Sequence, residues 1–236
     1  VIPVVRIRDN IQLAPNEYRL KVKGNIVAEG ELLLDHYLAM TPGIDDDMVE
    51  GIETKEPAFG LPAKWISEEK KDEAEMFGYT VVDPPSVVST HLTEVLKKNA
   101  YQLLGRQETK ELIDHLKEEY EILVEEVTPD PLSVGEIQKV LSKLLRENVS
   151  IRNLPVIFET LADFAPMTND TELLAEYVRQ SLAVQITKQY VGDGNTLSVM
   201  TIAPDVEQLI STNIQQTEHG SYLALEPNMQ ESIIRN

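Results

Sequence analysis

Apolar and polar positions alternate twice near the start of the chain. Val5 and Ile7 are interleaved with Arg6 and Arg8, and Tyr18, Leu20 and Val22 with Arg19, Lys21 and Lys23. Both stretches predict half-buried strands, over 4–8 and about 18–23. Gly24-Asn25 then predicts a hairpin turn into a partner strand, IVAEGELLL (26–34). The turn-forming, carboxylate-rich run TPGIDDDMVEGIETKEPAFG (41–60) predicts loop. Helical signals follow it. SEEKKDEAEMFG (67–78) has Ser67 as N-cap, acids in its first turn and Gly78 at its end. YTVVDPP (79–85) reads as a short strand stopped by two prolines. From Ser86, taken as N-cap, the positions Val87, Val88, Leu92, Val95 and Leu96 predict an amphipathic helix over 86–104. This order of strands and helices predicts an α/β unit in which the strands flanking 35–83 share one sheet and 35–83 is an insert.

From Gly105 the period stays helical. Ser133 caps VGEIQKVLSKLLREN, Asn153 precedes LPVIFETLADFA, and Asp170 or Thr171 opens a helix reaching about Tyr190. The connections TPDPLS, ENVSIRN and PMTND are short, which predicts a helical body. GDGN (192–195) predicts a turn into a strand, TLSVMTIA (196–203), and Pro204 starts another helix. Residues 216–236 predict a further α/β element. The opening VIPVVRIRD lacks a Met and reads as if cut from a longer chain.

One segment resists this reading. EPAFGLPAKWI (56–66) has neither the helix nor the strand period, yet holds Phe59 and the only tryptophan, Trp65. Apolar groups in a broken segment either fold down as a lid on a core or form a partly exposed dimple that binds something.

Composition narrows the functions. A chain of 236 residues with 42% hydrophobic content supports real cores. Its formal net charge is −19, from 40 acidic against 21 basic residues. Such a field repels phosphate backbones and argues against nucleic acid as a partner. The absence of cysteine excludes thiol catalysis, disulfides and thiolate metal sites. No apolar run approaches the ~18 residues needed to span a bilayer.

Candidate chemistry is sparse. His36, His91, His115 and His219 have no ligand spacing; His91 falls on the apolar face of the 86–104 helix and reads as a core or rim histidine. Asp45, Asp46 and Asp47 lack the spaced ligands of a calcium loop and read as solvated. GDGN is followed by no Lys-Ser/Thr and reads as a plain turn. No GxSxG, HExxH or GxGxxG motif is present, so the chain reads as no enzyme and as needing no cofactor or metal.

Five collinear stretches carry a resemblance: VRIRDNIQLAPNEYRLKVKG, EPAFGLPAKWI, GYTVVDPPSVVSTHL, LLGRQETKELID and LPVIFETLADFAP. Over about residues 1–210 they resemble the cytosolic region of the FHIPEP family, the export-gate proteins of flagellar and virulence type III secretion. The resemblance implies four subdomains: a split α/β subdomain from 1–34 and 84–103, an inserted subdomain at 35–83, a helical subdomain at 104–183, and an α/β subdomain at 184–236. The first and last are expected to be truncated. It also implies a docking platform that binds export chaperone–substrate complexes in the cleft between the first two subdomains.

The family motifs for that cleft, DPAFG and the Thr of ATHL, appear here as EPAFG and STHL. Glu56, Phe59 and Thr90 are therefore the expected binding residues, with Phe59 as anchor in an exposed dimple. Thr90 is expected at the cleft rim, and Glu56, which replaces the common Asp, is expected to add charge selectivity. Trp65 is assigned to the core, where the family's tryptophan opens a packed helix. The further implied partners are other export-apparatus proteins and copies of the same chain in a ring. The implied location is the cytoplasmic face of the bacterial cell membrane, in a longer multi-pass protein. Two other readings stand beside this one: a ring scaffold with no ligand cleft, and an acidic enzyme subunit whose catalytic groups lie elsewhere. Pro84, Pro85 and Gly105 at the joins predict that the 35–83 insert swings as one body.

Overall fold

Of the two alternating stretches at the start, the second becomes sheet. In the computed structural model, which describes residues 5–41, 48–192, 194–217 and 220–235, β1 (Glu17–Val22) pairs antiparallel with β2 (Asn25–Glu31). The turn is Lys23-Gly24, at φ of 50° and 87°, one residue earlier than expected. Positive φ at both central positions matches the twist of the flanking strands. Residues 5–10 form no strand, contrary to the alternation, and Ile7 is 93% exposed. A strand is stable only beside a partner that takes its backbone donors and acceptors, and none lies next to this stretch among the described residues.

The stretch 36–82 builds its own antiparallel sheet. Its strands are β3 (His36–Met40), β4 (Ile52–Lys55), β5 (Pro62–Ser67) and β6 (Thr80–Val82), in the order β4-β5-β3-β6. Strand β6, inside 35–83, pairs with β3, and β1 and β2 form a two-stranded sheet of their own. The single sheet expected from strands flanking 35–83 is thus not seen among the described residues. A 3-10 turn at Glu68–Lys70 leads into α1 (Lys71–Met76), closed by Gly78 at φ 83°. Asp45, Asp46 and Asp47 lie outside the described residues, as does His219.

Strand β5 explains why the sequence was illegible there. Positions 63–66 are all buried, because the strand lies between β4 and β3 and is covered on both faces. Ala63 and Trp65 join Leu38 and Val87 in one core, while Ile66 joins Ala39, Val49, Ala74 and Tyr79 in the other. A strand buried on both faces shows no alternation. Trp65 is therefore core, as expected, but on a strand rather than at the start of a helix.

Helix α2 (Pro84–Lys98) covers the first of those faces through Val87. Its cap is Asp83, not Ser86: Asp83 Oδ1 accepts from Ser86 N at 3.0 Å. Pro84 and Pro85 then occupy the first helical positions, where a missing N–H costs nothing. The helix stops at Lys98, and a short α3 (Ala100–Leu103) follows.

Helices α4 (Arg106–Glu119), α5 (Glu121–Val127), α6 (Val134–Arg146), α7 (Leu154–Phe164) and α8 (Thr171–Ser181) enclose the largest core. Phe158, Ile137, Leu141, Leu144, Leu161 and Leu174 are fully buried there. Ser133 and Glu136 form the capping box of α6, with Glu136 Oε2 accepting from Ser133 N at 2.8 Å. Asp170 caps α8 by accepting from Glu172 N. The helix expected to run to Tyr190 breaks at Leu182, and α9 (Ala183–Tyr190) completes it.

The strand expected at 196–203 is absent: the segment is irregular, and Met200 is fully exposed. It too has no partner strand among the described residues. The chain continues with α10 (Pro204–Thr212), the hairpin β7 (Ile214–Thr217) and β8 (Gly220–Leu223), and α11 (Pro227–Arg235). The fold is mixed α and β, with every described strand pair antiparallel. No helix among the described residues is long and apolar enough to cross a membrane.

Candidate functional site

The stretch 56–61 connects β4 to β5 as a hairpin turn. Glu56 N donates to Leu61 O and Gly60 N donates to Glu56 O, both at 2.8 Å. Pro57 carries no N–H, which leaves the Ala58 and Phe59 amides to be satisfied. The Glu56 carboxylate takes both: Oε1 accepts from Ala58 N at 2.8 Å and Oε2 from Phe59 N at 2.7 Å. Bonds of this charge-assisted kind are among the stronger ones available to a backbone amide.

Glu56 is only 4% exposed. This corrects the expectation that it offers charge to a partner: with both oxygens bound to the turn's own backbone, it shapes the loop from beneath. Phe59 does the opposite. Its amide is pinned, yet the residue is 61% exposed. Gly60 follows at φ 71°, with no atom within 4 Å of where a Cβ would stand. The turn therefore presents Phe59 outward instead of seating it in a dimple. Leu61, at 51% exposure, adds a second apolar side chain to the same tip. Sequence reasoning passed over Leu61, although its place beside Phe59 in a polar-flanked turn was a usable signal.

Thr90 stands on α2 and is exposed. It shares no hydrogen bond with the turn among the described contacts, so the structure joins Glu56 to Phe59 directly but leaves Thr90 on a separate element. The link between the two elements lies underneath. Trp65, a few residues beyond the turn, packs with Val87 of α2 in the shared core. His91, next to Thr90, is 5% exposed and shares a 2.7 Å hydrogen bond between its Nδ1 and the Tyr18 hydroxyl of β1.

The electrostatics tie these groups together. Burial, and then the Glu56 charge, push the Tyr18 hydroxyl up to about 12, so it stays protonated. Desolvation pulls the His91 imidazole below its ordinary value; Glu56 opposes this and Lys98 adds to it. The pair is neutral at physiological pH. Among the described residues no group of three or more His, Asp or Glu could hold a metal. What this arrangement offers is a firmly held, outward-facing apolar tip on a strand that shares a core with α2.

The sheet is covered on one face by α2 and on the other by α1, and the helical body follows it. Together they superpose on solved relatives that include the EscV cytosolic domain of a type III secretion system, with a TM-score of 0.65 at 30% identity, over 89% of this chain and 63% of that one. The chain belongs to the FHIPEP family, whose model matches residues 1–236. It is 68% identical over its whole length to the flagellar biosynthesis protein FlhA of Bacillus subtilis, of which it covers 35%. It thus spans about a third of the length of the curated relatives it matches. Among solved structures, Chlamydia pneumoniae CdsV superposes with a TM-score of 0.82 at 30% identity, over 96% of this chain and 66% of that one. CdsV has also been solved in complex with CdsO, where the TM-score is 0.80 at 28% identity, covering 96% of this chain and 65% of the other. The nonameric SctV-C of EPEC matches with a TM-score of 0.70 at 29% identity, over 95% of this chain and 68% of its own.

Proposed function

We propose that this chain is a cytosolic docking platform of flagellar type III protein export, lying at the cytoplasmic face of the bacterial cell membrane. In this reading the β4–β5 turn and the exposed side of α2 receive export chaperone–substrate complexes. One observation carries it: Phe59 is a large aromatic side chain left 61% exposed on a turn whose backbone is clamped by a buried carboxylate. A rigid exposed aromatic loses little freedom on binding and is the kind of side chain that dominates interfaces. Thr90 extends the surface along α2, and Glu56 serves it by shaping the turn.

The four-subdomain division, 1–34 with 84–103, then 35–83, 104–183 and 184–236, belongs to this proposal. It is supported by a sheet confined to 36–82 and a helical core drawn from residues 104–182. The nonameric relative and the CdsV–CdsO complex support, for the longer protein, a ring of copies and contacts with other export-apparatus proteins. The platform itself has no catalytic role and turns over no ATP.

Phe59→Ala tests the reading through two measurements, affinity for a loaded flagellar export chaperone and thermal unfolding. Loss of an exposed aromatic anchor is expected to weaken binding by about thirtyfold, equivalent to about 2 kcal/mol. Melting should move little, since a buried Phe would instead cost about 3–5 kcal/mol of folding free energy. A sharp fall in melting with normal binding by the folded fraction would make Phe59 a core residue and end the docking reading. Unchanged binding with unchanged melting would favour a ring scaffold without a ligand site.

A further inference from the structure

Tyr18 and His91 come from elements far apart in the chain, β1 and the helix α2 that carries Thr90. Tyr18 on β1 stands directly opposite Gly30 on β2. A Cβ on Gly30 would fall 2.5 Å from both Cζ and Oη of Tyr18 and 2.6 Å from its Cε1. Only a residue without a side chain lets the ring lie across β2 there. So placed, the hydroxyl reaches α2 and meets His91 Nδ1 at 2.7 Å, while the two rings contact edge to face at a centroid separation of 5.8 Å and 73°.

His91 is buried, and Thr90 is its neighbour on the same helical turn. The contact that holds the His91 ring therefore joins Val87 in fixing how α2 is rotated and which way Thr90 projects. Strand β5, into which the Phe59 turn leads, packs Ala63 and Trp65 with Val87 of the same helix in one core, and the Glu56 charge acts on both Tyr18 and His91. Three elements are thus joined at α2: the hairpin through Tyr18 on His91, and the β4–β5 unit through Trp65 and Ala63 on Val87.

We propose that Tyr18 and His91 are positioning residues for the docking surface: Tyr18, laid across Gly30, braces His91 so that Thr90 and the Phe59 turn are held in one arrangement before a partner arrives. The proposal rests on the docking reading above and adds to it how that surface is ordered in advance. Order present before binding is freedom that binding need not remove, and so appears as affinity.

The test measures affinity of the full 236-residue chain for a purified flagellar export chaperone–substrate complex, with thermal melting in parallel. Tyr18→Phe keeps the ring and removes the hydroxyl, and binding by the folded chain is expected to weaken about three- to tenfold, the range of one neutral hydrogen bond. Gly30→Ala, which displaces the ring, should lose at least as much. His91→Leu should match Tyr18→Phe, with no further loss when the two are combined, because both delete the same bond. His91→Asn places an amide near the position of Nδ1 and should recover most of the affinity.

A pair with only a structural role would lower melting in these variants yet leave the affinity of the folded fraction unchanged, and that result overturns the proposal. So does His91→Asn binding no better than His91→Leu. Phe59→Ala, run alongside, separates the two levels. If it binds like the unmodified chain, the docking reading and this proposal fall together. If it loses affinity while Tyr18→Phe and Gly30→Ala do not, the docking reading stands and the brace alone is wrong.

Discussion

Glu56 and Phe59 show how adjacent residues divide one task. The motif EPAFG carries a carboxylate, a proline and an aromatic side chain, and the local chemistry follows from counting donors. Pro57 has none, Gly60 is satisfied by the Glu56 carbonyl, and the two remaining amides go to the Glu56 side chain. Removing that side chain leaves two backbone donors without their acceptor, and the buried one, Ala58 N–H, costs about 1–3 kcal/mol when unpaired. Glu56→Ala is therefore expected to lower melting and to weaken loaded-chaperone binding together, since Phe59 loses its anchor point. Glu56→Asp should do much less, because a shorter carboxylate two and three residues back still reaches such amides. A calorimetric melt and a binding isotherm for both variants check this. Neither should alter the salt dependence of binding, because the charge is buried; a steep change with ionic strength would place Glu56 at the partner after all.

At the level of elements, β1 and α2 are joined through the neutral Tyr18–His91 contact, and pH should expose it. The folded chain holds the His91 imidazole below its usual value, chiefly by desolvation. Above the unfolded value of about 6.5 the ring is neutral in both states and stability is undiminished. As pH falls through that value toward the lower folded one, the unfolded chain takes up a proton that the native chain refuses, and stability drops. Below the folded value the loss stops growing. His91→Asn cannot take the proton, so its melting temperature should fall less between about pH 7 and 5 than that of the unmodified chain. Parallel curves for the two proteins would show that His91 is free to protonate in the fold. Helix α2 also shows an element start set by backbone needs: the two prolines that end a strand by sequence are the residues best suited to open the helix, with Asp83 as cap.

At the scale of the whole molecule, the sheet and α2 share a core. Leu38, Ala63 and Trp65 bury one face of the sheet against Val87, with Leu32 and Leu33 packed at the edge. A swing of 35–83 alone, away from α2, would expose that core, so the sheet and α2 should move as one unit and bending should occur beyond Lys98. Native-state hydrogen exchange gives the measurement: amides of β3, β5 and the first half of α2 should exchange with a common opening free energy, distinct from that of α4 to α8. Separate openings for β5 and α2 would restore the picture of an insert hinged against its neighbours. The strongly acidic surface acts over the same range, favouring partners that present basic patches.

Much of this was written in the order of residues. The 3.6-residue period and the capping residues Ser133 and Asp170 marked the helical body, because helix formation is local and its signals sit within a few positions of each bond they serve. The β1–β2 hairpin was legible to within a residue for the same reason. The motif EPAFG, through its resemblance, pointed to Phe59 as an exposed aromatic, though seated in a dimple rather than at the tip of a turn. Tertiary structure decided what local pattern could not carry. Residues 5–10 and 196–203 alternate like strands yet form none, since a strand depends on a neighbour that pattern alone does not supply. Strand β5 hides its period because both of its faces are covered, one by α2 and the other by α1 and Tyr79. The burial of Glu56 and the brace from Gly30 through Tyr18 to His91 join residues as far as 73 positions apart. Contacts at that distance arise only when separate elements pack, so they leave no period in the chain.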